Sequence, residues 1–129
     1  MSVIPESHVD LLTRPLYAHL ATIRPDGSPQ ANPMWFNWDG THIRFTNTST
    51  RKKSRNVAHE PRIAFSVNDP DQPYRYLEVR GRVVNVEPDP NAELFMALAD
   101  RYDLAMSGPP GDAPDRVVFV VEPTSVSYQ

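Results

Sequence analysis

The sequence predicts a mainly β, α+β fold: an antiparallel barrel with peripheral helices. Three observations carry this. Short runs of β-branched and aromatic residues are separated by turns rich in Gly, Pro and Asp; one stretch alone sustains a long helical period; and no strand–helix–strand alternation appears. At 129 residues the chain is long enough to bury a core as one domain, residues 1–129.

The elements follow in order. Ser7 is placed to cap a short opening helix, with Val9, Leu11 and Leu12 as its apolar edge and Pro15 as its stop. "LYAHLATIR" alternates loosely, and Asp26-Gly27 turns it into "PQANPMWFNW". Asp39-Gly40 makes the next turn, into "THIRFTN", so these three runs read as a three-strand meander. A short helix is expected over about residues 50–58, capped by Ser49 or Thr50 and stopped by Pro61. "RIAFSVN" puts Ile63, Phe65 and Val67 on one strand face. "YRYLEVRGRVVNVE" reads as a long strand in which Gly81 marks the bulge or bend that barrel closure needs. Asp89-Pro90 suits a helix start, Asp as the cap and Pro in the first turn, and Leu94, Phe95, Leu98 and Tyr102 then recur at helical spacing. After the Gly- and Pro-rich loop "MSGPPGDAPD", "RVVFVV" is apolar throughout its last five positions, as in a strand covered on both faces.

Charge is distributed unevenly along this frame. The chain carries a net −3, yet Arg51, Lys52, Lys53, Arg55 and Arg62 cluster against Glu60 alone, leaving about −7 for the remainder. An acidic balance argues against a general nucleic-acid binder, and a local basic excess suits one specific anion better. Helix-start amides and the hydroxyls of Ser49, Thr50 and Ser54 would complete a phosphate site there; a solvated helix face is the competing reading. There is no cysteine, so thiolate metal sites and cysteine nucleophiles are excluded. No basic-flanked apolar leader and no run of about 20 apolar residues occurs, which leaves a cytoplasmic protein without membrane contact as the expectation.

Other constellations are thinner. His8, His19, His42 and His59 lie scattered without metal-ligand spacing, so no metal is expected, and no nucleophile elbow supports a hydrolase. Trp35, Phe36 and Trp38 exceed what one strand face can bury, so some of these rings should face a cavity or a partner. Tyr74 and Tyr76, two apart, share a strand face and could line that cavity or simply pack across strands. No general acid or base stands out, so an enzyme of this sequence would rely on a cofactor for its chemistry.

The order "LATIRPDGSPQANPMWFNWDG", "IRFTN", "RKKSRNVAHEPRIAFSV", "YLEVRGRV" resembles the pyridoxamine 5′-phosphate oxidase-like superfamily, and within it the flavin/deazaflavin oxidoreductases of the B group, which use coenzyme F420. The resemblance spans about residues 10–127 and implies a split β-barrel of the FMN-binding-protein-like kind, a homodimer, and cofactor grooves between subunits. It places the cofactor phosphate on Arg51 and Lys53 and the ring along Asn32, Pro33, Met34 and Trp35. It adds Thr46, Asn47, Thr48 and Ser49 from the neighbouring strand, and sets Tyr74 and Tyr76 toward the substrate. Arg55 and Asn56 match the end of the phosphate motif in a structural role, and Lys52 has no counterpart in it. His59 and Glu60 stand where the family often has more basic residues and Asp.

What the resemblance implies is an oxidoreductase in which reduced F420 passes a hydride to an electron-poor acceptor such as an enone, a quinone or a bilin-like tetrapyrrole. The catalytic residue is not identified; solvent is the expected proton source, because no acid is evident, and Tyr76 is the one side-chain candidate. FMN shares the phosphate chemistry and is the alternative cofactor. A non-catalytic flavin or deazaflavin carrier and a nucleic-acid module on the basic helix are the readings from other classes.

Overall fold

The computed structural model describes residues 2–129. A 3₁₀ turn at Glu6–His8 and a one-turn helix α1 (Asp10–Thr13) open the chain. Ser7 does not cap α1; its hydroxyl pairs with His8 Nδ1 at 2.8 Å, and Val9 precedes the helix without a side-chain cap. The strands are β1 (Ala18–Ile23), β2 (Pro29–Met34), β3 (Asn37–Trp38), β4 (Ile43–Thr48), β5 (Arg62–Asp69), β6 (Gln72–Pro88) and β7 (Arg116–Tyr128). They form one antiparallel sheet in the order β2-β1-β5-β6-β7-β4-β3.

Both early hairpins form where the turn residues place them. Gly27 and Gly40 take the left-handed φ values of 88° and 96° that their turns require. The meander does not form. β2 and β3 stand at opposite edges of the sheet, and β4 pairs with β7, Thr46 facing Val118 and Thr48 facing Arg116. Only Trp35 and Phe36 separate β2 from β3, so three Cα spacings, about 11 Å, bound the gap between the two edges. The sheet therefore curls into a half-barrel, as a mainly β fold with few helices was expected to do. Phe36, in that crossing, is fully buried, its ring centroid 6.3 Å from Phe45 and 6.0 Å from Phe65.

The bend in β6 falls where the glycine sits. Pairing with β7 shifts between Arg80 and Gly81, and a Cβ at Gly81 would lie 2.6 Å from the Glu122 carbonyl oxygen. β7 is buried from Val118 through Val121, covered on both faces.

Two helices decorate the barrel; the first lacks its expected cap, and the second keeps its capping residue but starts later than expected. α2 (Lys52–His59) starts after Arg51, which is extended; neither Ser49 nor Thr50 caps it, and the Ser54 hydroxyl donates to the Thr48 carbonyl at 2.7 Å. Asn56 docks α2 onto the first hairpin, its amide donating to Thr22 Oγ1 at 3.0 Å and Gln30 Oε1 at 3.1 Å. α3 (Glu93–Arg101) begins three residues after Pro90, yet the Asp89 carboxylate still caps it by accepting from the Glu93 and Leu94 amides at 2.9 and 3.0 Å. Past its last turn, the Tyr102 hydroxyl donates to the Leu16 carbonyl at 2.5 Å and accepts from the Phe36 amide at 3.2 Å. Burial raises the Tyr102 phenol above its ordinary range. Among the described residues, no helix is long and apolar enough to cross a membrane.

Candidate functional site

An open cleft of about 470 Å³ forms where β2, β4, α2 and α3 meet. That volume lies within the span of small-molecule and cofactor sites, roughly 300–1,000 Å³. β2 and the crossing residue supply Asn32, Pro33, Met34 and Trp35; β4 supplies Thr46 and Asn47; the start of α2 supplies Arg51 and Lys53. Three further residues arrive from elsewhere: Tyr17 before β1, Phe95 from α3 and Arg116 at the first position of β7.

The charge of this cleft is one-sided. Arg51, Lys53 and Arg116 line it, and no Asp or Glu does. Among the described residues, Arg51 and Lys53 have no carboxylate within salt-bridge distance. Lys53 is buried with Asn56 and Val57 on the inner face of α2. Burial, and then the nearby Arg51 guanidinium, hold the Lys53 ammonium below the ordinary lysine range. A half-sequestered ammonium beside an unpaired guanidinium is stabilised by whatever anion enters. The chemistry of this donor set fits a phosphate.

Tyr17, Trp35 and Phe95 give the cleft an aromatic side. Trp35 stacks nearly parallel on Tyr102, at 5.1 Å and 14°, and lies 5.8 Å from Phe95. Tyr17, exposed at the rim, sits 5.8 Å from Tyr102. Arg116 joins the two regions. Its guanidinium lies 4.7 Å from the Phe95 ring centre, is held by both carboxylate oxygens of Asp112 at 3.0 Å, and donates to Thr46 Oγ1 at 3.4 Å. One end of the cleft can hold an anion, and its aromatic lining can take a flat conjugated ring.

Eight of the ten residues expected at a cofactor thus share one cleft: Asn32, Pro33, Met34, Trp35, Thr46, Asn47, Arg51 and Lys53. Thr48 and Ser49 do not line it. Thr48 is buried with its hydroxyl unpartnered, and the Ser49 amide donates to the Asp115 carbonyl at 2.9 Å, which shapes the approach to Arg51. Arg55 and the exposed Lys52 lie in a separate hollow with Arg24, Pro25 and Asp26. Tyr74 and Tyr76 are not brought to the cleft within one chain. Tyr74 is 87% exposed beside His8, Arg75 and Gln129, and Tyr76 pairs with Gln129 through its backbone. That places both near the far end of β7, twelve residues from Arg116, or about 40 Å of strand at about 3.3 Å per residue. Of the three crowded aromatics, Phe36 enters the core, Trp38 packs against it and Trp35 faces the cleft. Sequence reading missed Tyr17, Phe95 and Arg116. Phe95 had registered only as part of a helical period, and Arg116 reaches Thr46 only through the long-range β4–β7 pairing.

Comparison with known proteins identifies the family and the fold. The sequence pattern described as pyridoxamine 5′-phosphate oxidase matches residues 4–129. A solved structure of a protein called F420 reductase is 56% identical, with a TM-score of 0.95, and the match covers 98% of this chain and 100% of that one. A putative pyridoxamine 5′-phosphate oxidase from Listeria innocua shares 19% identity at a TM-score of 0.74, covering 95% of each chain. PhzG from Burkholderia lata 383, solved with tetrahydrophenazine-1-carboxylic acid, shares 17% identity at a TM-score of 0.68, covering 95% of this chain and 73% of that one. The last two show the likeness of fold alone. No curated protein matches the sequence.

Proposed function

The chain belongs to the pyridoxamine 5′-phosphate oxidase family, and from that premise we propose that it is an oxidoreductase that binds coenzyme F420 and reduces an electron-poor conjugated acceptor. The observation that carries this reading is the pair Arg51 and Lys53, cations without carboxylate partners at one end of a cleft that also presents aromatic rings and side-chain amides. The full-length likeness to a protein called F420 reductase supports the deazaflavin over FMN.

In this reading Arg51 and Lys53 hold the cofactor phosphate, helped by the side chains of Thr46 and Asn47. Thr48 and Ser49 set the entry of α2 that aims both cations. Asn32, Pro33, Met34 and Trp35 lie along the ring, and the Trp35–Tyr102 stack keeps that surface flat. When bound, the reduced cofactor supplies the hydride that the acceptor takes up. The chain's part is to orient both partners and to exclude water from between them. Tyr74 and Tyr76 serve the substrate side only if a second copy presents them, so the reading includes a homodimer. Tyr76 stays the candidate proton donor on the same condition.

Titration of the protein with F420 and with FMN, side by side, tests this through the intrinsic tryptophan fluorescence, to which Trp35 contributes from the cleft. F420 should quench it saturably and at lower concentration than FMN. Tighter binding of FMN would transfer the reading to a flavin enzyme of the same fold, and the absence of either response would overturn it.

A further inference from the structure

We propose that Arg116, held by Asp112, is the residue that recognises the acceptor, and that it selects an uncharged conjugated carbonyl compound, an enone or quinone, over a carboxylate-bearing one. The inference rests on the oxidoreductase reading above and deepens it. A guanidinium carries five N–H donors. Three of the Arg116 donors are engaged: Nε and Nη2 on the Asp112 carboxylate at 3.0 Å each, and Nη1 on Thr46 Oγ1 at 3.4 Å. One N–H on Nη1 and one on Nη2 remain, on a side chain that is only 11% exposed and lines the cleft.

Charge decides what these donors suit. Asp112 neutralises Arg116 through a bidentate pair, whereas Arg51 and Lys53 carry no such partner. A full anion entering the cleft is drawn to the unpaired cations. The Arg116–Asp112 pair has little net charge left to attract an anion, but it keeps directed N–H groups in a fixed plane. The Phe95 ring 4.7 Å away holds that plane and shields it from water. Such a fork favours a neutral oxygen on which charge gathers during reaction. Tyr17, exposed at the rim, offers a flat surface for the ring that bears this oxygen.

The balance of the step is simple. When bound, the reduced deazaflavin would supply the hydride that the electron-poor carbon takes up, two electrons passing from cofactor to acceptor. The displaced electron pair moves through the conjugated bond onto the carbonyl oxygen, where the free N–H groups of Arg116 meet it, and the proton follows from solvent or, in a dimer, from Tyr76 of the second copy. A bilin-type acceptor with two carboxylates is disfavoured on these grounds.

The test uses three variants and two readouts. Arg116→Gln, and the double variant Arg116→Gln/Asp112→Asn, which leaves no unpaired charge, should lower kcat with a neutral quinone by about 100-fold or more while F420 affinity stays within threefold. Asp112→Asn should shift the ratio of kcat/KM for a carboxylated quinone over its neutral parent upward by at least tenfold. Independently of turnover, fluorine NMR of fluorophenol bound to the protein alone should show its hydroxyl ionising at lower pH in the wild type and in Lys53→Ala, but not in Arg116→Gln. Unchanged kcat and an unchanged fluorophenol titration in Arg116→Gln, in a protein that still binds F420, would overturn the assignment of Arg116 alone. A loss of F420 affinity equal to the loss of kcat would also overturn it, by making Arg116 a cofactor ligand. Failure of the wild type to bind either cofactor would count against the oxidoreductase reading, while the fluorophenol arm would still decide the role of Arg116.

Discussion

The two ends of β7 carry the same kinds of charged side chain in opposite arrangements. Near Gln129, every cation of the cluster meets carboxylates. Arg75 Nη2 lies 2.6 Å from Asp10 and its Nη1 3.1 Å from Asp69, while Arg14 lies 3.4–3.5 Å from Asp10, Asp69 and Asp71. Near Arg116, at the other end, Arg51 and Lys53 face a cleft with no carboxylate in it. The first cluster is satisfied by the fold and holds the N-terminal segment to the β5–β6 turn. The second is left unsatisfied, and its Lys53 is further penalised by burial. Paired charge serves the fold, and unpaired, half-buried charge of one sign waits for a ligand.

Substitutions at the two ends should separate these roles. The largest effect is expected in the cleft. Lys53→Ala and Arg51→Ala should each weaken cofactor binding by about 1.5–3 kcal/mol, roughly 10- to 150-fold. Tm should hold or rise, because an unpaired cation has been removed. Equal affinities in isothermal titration would break the contrast at its functional end. Arg75→Ala should do the reverse, lowering Tm measurably while F420 affinity is unchanged, since it strands the buried Asp69 carboxylate without its nearest guanidinium.

The smallest effect is the pH dependence of the paired end. Hydrogen bonding from Arg75 holds the Asp10 carboxyl down to about 2, and the Asp71 backbone amide lowers Asp69. A carboxyl lowered in the folded state adds stability in full above its unfolded value, 3.8 here, and loses it as the pH falls toward the folded one. The urea midpoint should therefore decline between 3.8 and about 2, and Asp10→Asn should flatten that decline. The slope is modest because the Asp10 side chain is 43% exposed. An unchanged decline in Asp10→Asn would assign the acid sensitivity to the lowered carboxyls elsewhere, Asp39 and Glu60, and not to the paired end.

Much of this molecule is local and therefore readable. The turn glycines, the bent strand at Gly81, the buried period of Ile63, Phe65 and Val67, and the doubly covered run at the start of β7 all follow from nearest-neighbour sterics and burial. The basic start of α2 and residues 32–35, singled out by the order of motifs along the chain, do line one candidate cleft. Other features depended on partners far away in sequence. The predicted meander gave way to a crossing because β7 needs β4 on its open side, a pairing some 70 residues apart that no local pattern encodes. The caps on the first two helices slipped as well: the Ser7 hydroxyl pairs with His8, and α2 begins past Ser49 and Thr50, after an extended Arg51.

The sequence by itself determined the class of fold, the positions of its turns and the place where positive charge gathers, because these depend on backbone sterics, alternation and composition over a few residues. The tertiary structure decided which of those charges stay unpaired, and it brought Tyr17, Phe95 and Arg116 to the cleft while keeping Tyr74 and Tyr76 at the far end of the barrel. The physical reason is that pairing and burial are properties of contacts between distant segments. A curled sheet that joins β2 to β3 through two residues creates those contacts only once it has closed.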